Sequence, residues 1–192
     1  MTKNKTIYFI TTNKGKFREA KAELNRINID VKQIDIEYPE IQADTHEEVA
    51  SFGLEWLRRK MKKTLMIDDS GLFIDALNGF PGVYSSYVFK TIGYNGILKT
   101  MEGERNRSAR FESCIAYMEP KNAPVFFKGV CKGKISDKPK GRGGFGYDPI
   151  FIPTGYKRTF AEIPIEEKNK ISHRGKSLKQ LVKYLKRNQP NK

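Results

Sequence analysis

Short β-favouring apolar runs alternate with helical periodicity through residues 6–70, and few folds accommodate that order. Thr6-Ile7-Tyr8-Phe9-Ile10-Thr11 is rich in β-branched and aromatic residues, which predicts a buried strand. Phe17, Ala20, Leu24 and Ile27 then recur at helical spacing. A second strand is expected over Val31 to Ile36. A second helix is expected over Thr45 to Lys62, with Val49, Phe52, Trp56 and Leu57 on one face and Gly53 a mild interruption. Leu65-Met66-Ile67 predicts a third buried strand that delivers Asp68-Asp69-Ser70 at its end. A strand-helix-strand-helix-strand order predicts an α/β protein with a sheet that is at least partly parallel.

The middle of the chain changes character. Ala109, Phe111, Ser113, Ile115 and Tyr117 alternate with other residues, and Val125 to Ile135 alternates again with Lys128, Lys132 and Lys134 on its polar side. The two runs read as an antiparallel hairpin joined through Pro120-Lys121-Asn122. A glycine-rich loop follows over Gly141 to Gly146. Ser172 then stands as an N-cap before a final helix whose core stripe is Leu178, Leu181, Val182 and Leu185.

Length and charge narrow the class. A chain of 192 residues fits one domain, or two lobes sharing a core. Thirty-six basic against 22 acidic residues give a net charge of +14, which attracts polyanions without choosing among nucleotides, nucleic acid and membrane surfaces. The lysines are spread along the chain, which favours general solvation over a single DNA-reading face. No stretch approaches the roughly 18 apolar residues of a membrane span, and Met1-Thr2-Lys3-Asn4-Lys5 has no signal-peptide core, so a cytoplasmic protein is expected. Cys114 and Cys131 are too few for a disulfide framework and read as buried thiols, although a bond between neighbouring strands is geometrically possible.

Three nucleotide signatures fail on context. Gly141-Arg142-Gly143-Gly144-Phe145-Gly146 satisfies G-x-G-x-x-G, but Asp148-Pro149 follows where a helix should open. Gly15-Lys16 is followed by Phe17, and Ile10 occupies the upstream glycine position of a P-loop. Gly175-Lys176-Ser177 has Lys170 at that upstream position.

Four clusters remain. Thr11, Thr12, Asn13, Lys14, Gly15 and Lys16 join a strand to a helix, where backbone N–H groups and the helix dipole favour a phosphate; an ordinary capped turn is the competing reading. Asp68 and Asp69 end a buried strand, where ligand sites of α/β sheets lie, and alternation sends only one of them into a site. A carboxylate there can hold Mg²⁺ or orient water, and Glu40 follows another strand and can supply a second; a capped turn is again the rival. In Phe145-Gly146-Tyr147-Asp148-Pro149 an aromatic face suits base stacking and Asp148 can accept from a base edge. Finally, Lys168 precedes Ser172-His173-Arg174-Gly175, where two donors open a helix.

Together these clusters resemble the inosine/xanthosine triphosphate pyrophosphatases. The resemblance runs from about Thr6 to Leu185 and rests on five motifs in order. They are Thr11-x-Asn13-x-x-Lys16, Asp68-Asp69-Ser70-Gly71-Leu72, Gly79-Phe80-Pro81-Gly82-Val83-Tyr84-Ser85, Gly144-Phe145-Gly146-Tyr147-Asp148-Pro149 and Ser172-His173-Arg174-Gly175. It implies a single domain over residues 1–192 with two lobes, a long twisted mixed sheet, a nucleotide-binding cleft between the lobes, and a homodimer. It implies Mg²⁺-dependent hydrolysis of ITP, dITP and XTP to monophosphate and pyrophosphate. By the same resemblance Thr11, Asn13 and Lys16 grip phosphates, Glu40 and Asp69 are metal-linked, and Asp69 is the general base. Ser70 lies at the substrate, Phe145 stacks on the base, and Asp148, Lys168, His173 and Arg174 surround the purine. Many relatives carry a phosphate-reaching lysine in the second helix. Ala50-Ser51-Phe52-Gly53-Leu54 has none, which leaves that charge to Lys14 or Lys16.

Donors from His173 and Arg174 suit a 6-oxo purine and leave buried groups unpaired against a 6-amino one. Two rival functions are weighed against this. One is a related nucleotide pyrophosphatase for another modified base; the other is a basic nucleic-acid-binding protein, in which the strand carboxylates and the Phe145 loop would have no purpose.

Overall fold

The early alternation is realised as parallel pairing in the computed structural model, which describes residues 6–39 and 41–188. Strand β1 (Thr6–Ile10) pairs in parallel with β2 (Asp30–Ile34), Ile7 opposite Val31 and Phe9 opposite Gln33. On its other side β1 pairs in parallel with β3 (Leu65–Ile74), Tyr8 opposite Leu65 and Phe9 opposite Met66. Helix α1 (Lys14–Asn25) links β1 to β2, and α2 (His46–Arg58) links β2 to β3. The sheet has six strands in the order β2-β1-β3-β4-β5-β6, completed by β4 (Ser108–Met118), β5 (Val125–Ile135) and β6 (Phe151–Pro153). β6 pairs antiparallel with β5, so the sheet is mixed and the fold class is α/β, as expected. The connection over residues 119–124 is far shorter than the dozen or so residues of a parallel crossover, which makes β4 and β5 antiparallel neighbours.

Three features differ from the sequence reading. β3 does not stop at Ile67 but runs ten residues to Ile74, so Asp68, Asp69 and Ser70 sit inside a strand. On one edge its parallel pairing with β1 covers Leu65 and Met66, and β4 lies along its other edge. In α2 the buried face is Val49, Ala50, Gly53, Leu54 and Leu57, and Phe52 is exposed. A shift of one position moves a helical residue by about 100°, and Ala50 and Gly53, not bulk, decide the packed face. The segment between β3 and β4 carries two short helices, α3 (Ser85–Thr91) and α4 (Gly93–Thr100), and α5 (Ile165–Ile171) precedes the final helix α6 (His173–Arg187).

The chain divides into two units. The first comprises Met1–Asp69, Cys114–Lys128 and Lys176–Lys192. Its core holds Phe9, Leu24, Val31, Met66, Ile115 and Tyr117 together with Leu178, Leu181 and Leu185, the stripe expected of the last helix. A second group in it packs Ile10, Leu54, Leu57 and Ile67. The second unit comprises Ser70–Ser113 and Gly129–Gly175, with a core that includes Leu72, Ile74, Phe111, Tyr147, Phe151 and Phe160. Cys114 and Cys131 are both buried thiols. Among the described residues no helix is long and apolar enough to cross a membrane.

Candidate active site

In the first unit the chain leaves β1 at Thr11 and turns at once into α1. The Thr11 backbone is held from both ends: its N–H donates to the Ile34 carbonyl at 3.2 Å, and its carbonyl accepts from Gln33 Nε2 at 2.8 Å. Thr11 Oγ1 accepts from the Asn13 N–H at 3.1 Å. Asn13 is the N-cap of α1, and its Oδ1 accepts from Gly15 N at 2.8 Å and Lys16 N at 3.0 Å. Two helix-start amides that the sequence offers to a phosphate are thus already satisfied by a side chain, which is how an uncapped helix end is normally quieted. Thr12 and Lys14 remain exposed beside them. Lys16 turns inward and donates from Nζ to the Asp68 carbonyl at 2.7 Å, which ties the loop to the carboxylate strand.

Asp68 and Asp69 behave as strand alternation requires. Asp68 is buried, whereas the Asp69 side chain keeps 22% of its surface exposed. Asp69 Oδ2 lies 2.6 Å from Nδ1 of His46, a histidine that is only 4% exposed. An ionised carboxylate can only accept, so the imidazole donates. A capping box sets the position of His46: Thr45 Oγ1 accepts from Glu48 N at 3.3 Å, and Glu48 Oε2 accepts from Thr45 N at 3.1 Å. The hydrogen bonds from Thr45 hold the Glu48 carboxyl below its ordinary pKa. On β4, Cys114 feels the same carboxylates: burial first, then the charges of Asp68 and Asp69, push its thiol up to about 12. His46 carries no periodic signal in the sequence; only Thr45 with Glu48 three residues on marks where it stands.

The donor set can be tested against Mg²⁺. Among the described residues no group of three or more His, Cys, Asp and Glu is arranged to hold a metal. Mg²⁺ usually takes only about one or two protein carboxylates and completes its shell with substrate phosphates and water. Asp69, with one oxygen held by His46 and part of its side chain exposed, fits that limited role. Glu40, the other carboxylate expected at a metal, lies outside the described residues.

The second unit assembles the remaining predicted residues. Asp148 is 3% exposed, and its Oδ2 accepts from Lys168 Nζ at 2.6 Å and from the Phe145 N–H at 2.8 Å. A Cβ on Gly144, whose φ is +71°, would collide with that carboxylate, so the loop closes on Asp148 only because glycine stands there. Lys168 Nζ lies 4.8 Å from the Phe145 ring centroid, and the Arg174 guanidinium carbon lies 5.4 Å from it. Arg174, 2% exposed, donates from Nη2 to Ser70 Oγ at 2.9 Å. Ser172 caps α6 through a bond from the Gly175 N–H to its Oγ at 3.0 Å, which sets His173 and Arg174 at the helix start. His173 stacks on Phe111, centroids 4.6 Å apart and planes 13° apart.

Phe145, Asp148, Lys168, Arg174 and Ser70 therefore form one connected group. Two predicted members differ. The Tyr147 side chain is buried, donates from its hydroxyl to the Ser85 carbonyl at 3.0 Å and packs edge-on against Phe89. It serves the core, and burial raises its hydroxyl pKa. Gly146 contributes a backbone turn at φ +61°. The motif Gly79 to Ser85 is architectural as well: Ser85 Oγ accepts from Leu72 N at 2.8 Å and donates to the Gly82 carbonyl at 2.7 Å. The loop over 141–146 leads into a single 3-10 turn (Asp148–Ile150) and then β6, which agrees with the rejection of a dinucleotide-binding fingerprint.

A mixed α/β sheet with a strand-borne acidic pair and a buried basic-aromatic group defines the class to which this protein belongs. The chain is a member of the Ham1 family, whose model matches residues 7–184. It is 53% identical over 180 residues to a dITP/XTP pyrophosphatase of Thermococcus kodakarensis, covering 94% of this chain and 97% of that protein. It is 54% identical over 182 residues to a dITP/XTP pyrophosphatase of Pyrococcus horikoshii, covering 95% and 97%. Among solved structures, the Ham1 protein of Staphylococcus aureus superposes with a TM-score of 0.83 at 31% identity, covering 96% of this chain and 100% of that one. A HAM1 protein from Coxiella burnetii also gives 0.83, at 35% identity and 95% and 99% coverage.

Proposed function

We propose that this protein hydrolyses deaminated purine nucleoside triphosphates (ITP, dITP and XTP) to the monophosphate and pyrophosphate, in the presence of Mg²⁺. The observation that carries this reading is Asp69: a partly exposed carboxylate, oriented by a buried histidine, on the strand whose backbone Lys16 grips. Relatives at more than half identity over nearly the full chain, named dITP/XTP pyrophosphatases, support the substrate class.

Triphosphate hydrolysis needs a positioned water and neutralised phosphate charge. Asp69 orients the water and takes its proton, a contribution of roughly 10²–10⁴ in rate. Lys16, Lys14 and Thr12 supply positive charge and a hydroxyl to the phosphates, and Thr11 and Asn13 hold that loop in shape. Asp69 and Glu40 are the carboxylates that would hold Mg²⁺, which when bound draws charge from the phosphate oxygens. In the second unit Phe145 offers its ring to the base, and His173 and Arg174 donate to a purine 6-oxo group. Lys168 and Asp148 keep the Phe145 loop closed.

A nucleotide panel with Mg²⁺, assayed separately for pyrophosphate and orthophosphate, tests the reading. Preferential release of pyrophosphate from dITP and XTP is expected. Orthophosphate release, or equal use of a pyrimidine triphosphate, would sink it. Arg174→Ala should hurt ITP use more than ATP use; equal losses would remove Arg174 from base reading. The proposal extends to a cytoplasmic homodimer, for which the exposed aromatic stretch with Tyr84, Tyr87 and Ile92 offers an apolar face. Sedimentation velocity should give a dimer for the wild type and a monomer for Tyr87→Glu.

A further inference from the structure

We infer that Phe111 is a specificity-positioning residue: its ring sets the plane of the His173 imidazole and so the direction in which that imidazole can meet a purine. The inference rests on the proposal that His173 reads the base. The two rings are 4.6 Å apart and nearly parallel at 13°, and Phe111 is 7% exposed and His173 4%. Rotation of an imidazole about its outer torsion has no sharp staggered minima, so the rotamer alone does not orient the plane. A hydrogen bond weakens steeply once its donor angle falls toward about 120°. A face-on neighbour that resists ring rotation therefore narrows the directions in which the His173 donor can point.

Phe111 is itself firmly placed. Phe151 meets it edge-on at 4.7 Å and 63°, and Phe160 lies 6.0 Å away at 22°. From β4, Phe111 thus transmits the rigidity of the buried group it forms with Phe151 and Phe160 to the first residue of α6. Arg174, next along the chain, is supported differently, through Ser70 Oγ and the Phe145 ring. The two base-facing donors accordingly have separate supports and can be perturbed one at a time.

The test is steady-state hydrolysis of dITP and dATP by wild type, Phe111→Met, Phe111→Tyr and His173→Ala. Methionine keeps roughly the side-chain volume but removes the flat face. Phe111→Met should lower kcat/KM for dITP about tenfold while dATP stays within about twofold, and Phe111→Tyr should restore most of the dITP activity. Equal losses on both substrates, or no recovery with tyrosine, would show that Phe111 only supports the core. If His173→Ala preserves discrimination, the base-reading role of His173 fails. If it abolishes discrimination while Phe111→Met preserves it, only the present inference fails. A measurement on the wild type stands independently of variant folding. The His173 ring protons, observed by NMR, should be shifted upfield by the Phe111 ring current, and unshifted resonances would overturn the stacked arrangement.

Discussion

His46 Nδ1 stands 2.6 Å from Asp69 Oδ2, so the carboxylate proposed to activate water is held from the start of a neighbouring helix. One oxygen is committed to the imidazole, which leaves the other to act. The pair joins the capping of α2 to the carboxylates of β3, and it restrains the Asp69 side chain although part of it meets solvent.

Asp69→Asn should keep nucleotide binding and lose turnover by about 10²–10⁴. Equilibrium binding of dITP beside pyrophosphate release checks it. Turnover close to wild type would take Asp69 out of the reaction.

His46→Leu keeps a buried apolar volume but removes the donor. A hydrogen bond to a charged group is worth at least about 1.5 kcal/mol, so kcat should fall about tenfold with KM little changed. His46→Asn, whose amide nitrogen can reach the place of Nδ1, should recover part of the loss. Kinetics of both variants, with thermal melts to confirm folding, decide this.

Asp148→Ala would leave Lys168 buried without its carboxylate. Both side chains are 4% exposed, and breaking such a pair costs about 3–5 kcal/mol. Chemical denaturation should show that loss. Asp148→Leu combined with Lys168→Met should recover most of it while leaving the Phe145 loop without its anchor.

Cys114 should resist alkylation in the folded protein. Its thiol rises from 9.0 to about 12, chiefly by burial, with Asp68 and Asp69 adding like charge. A raised pKa of this kind favours the folded state below pH 9.0, and the contribution disappears as pH climbs toward 12. Mass spectrometry after iodoacetamide treatment at about pH 8.5 should find Cys114 modified only in denaturant. Labelling in the native state would contradict the burial.

Much of this was readable in the chain. Alternation and helical spacing are local properties, so β1, α1, β2, α2 and α6 stand close to where their residues predicted, and Ser172 marked a helix start because capping needs only neighbours. The acidic pair, the Phe145 loop and the His173-Arg174 pair were legible as motifs. Their partners were not. Nothing in Gln33, His46 or Phe111 announces that they hold Thr11, Asp69 and His173, because each contact joins residues distant in sequence.

The α/β class, the family and the candidate residues follow from the order of residues alone, since periodicity, capping and motif order are local in the chain. The tertiary structure decided how those residues are deployed. Strand pairing carried β3 through Asp68 and Asp69 to Ile74, because β4 as well as β1 pairs with it. Burial committed Tyr147 to the core, and local hydrogen bonding gave the Gly15 and Lys16 amides to Asn13. The direction of a side chain depends on what surrounds it in space, and a linear order of residues does not contain that.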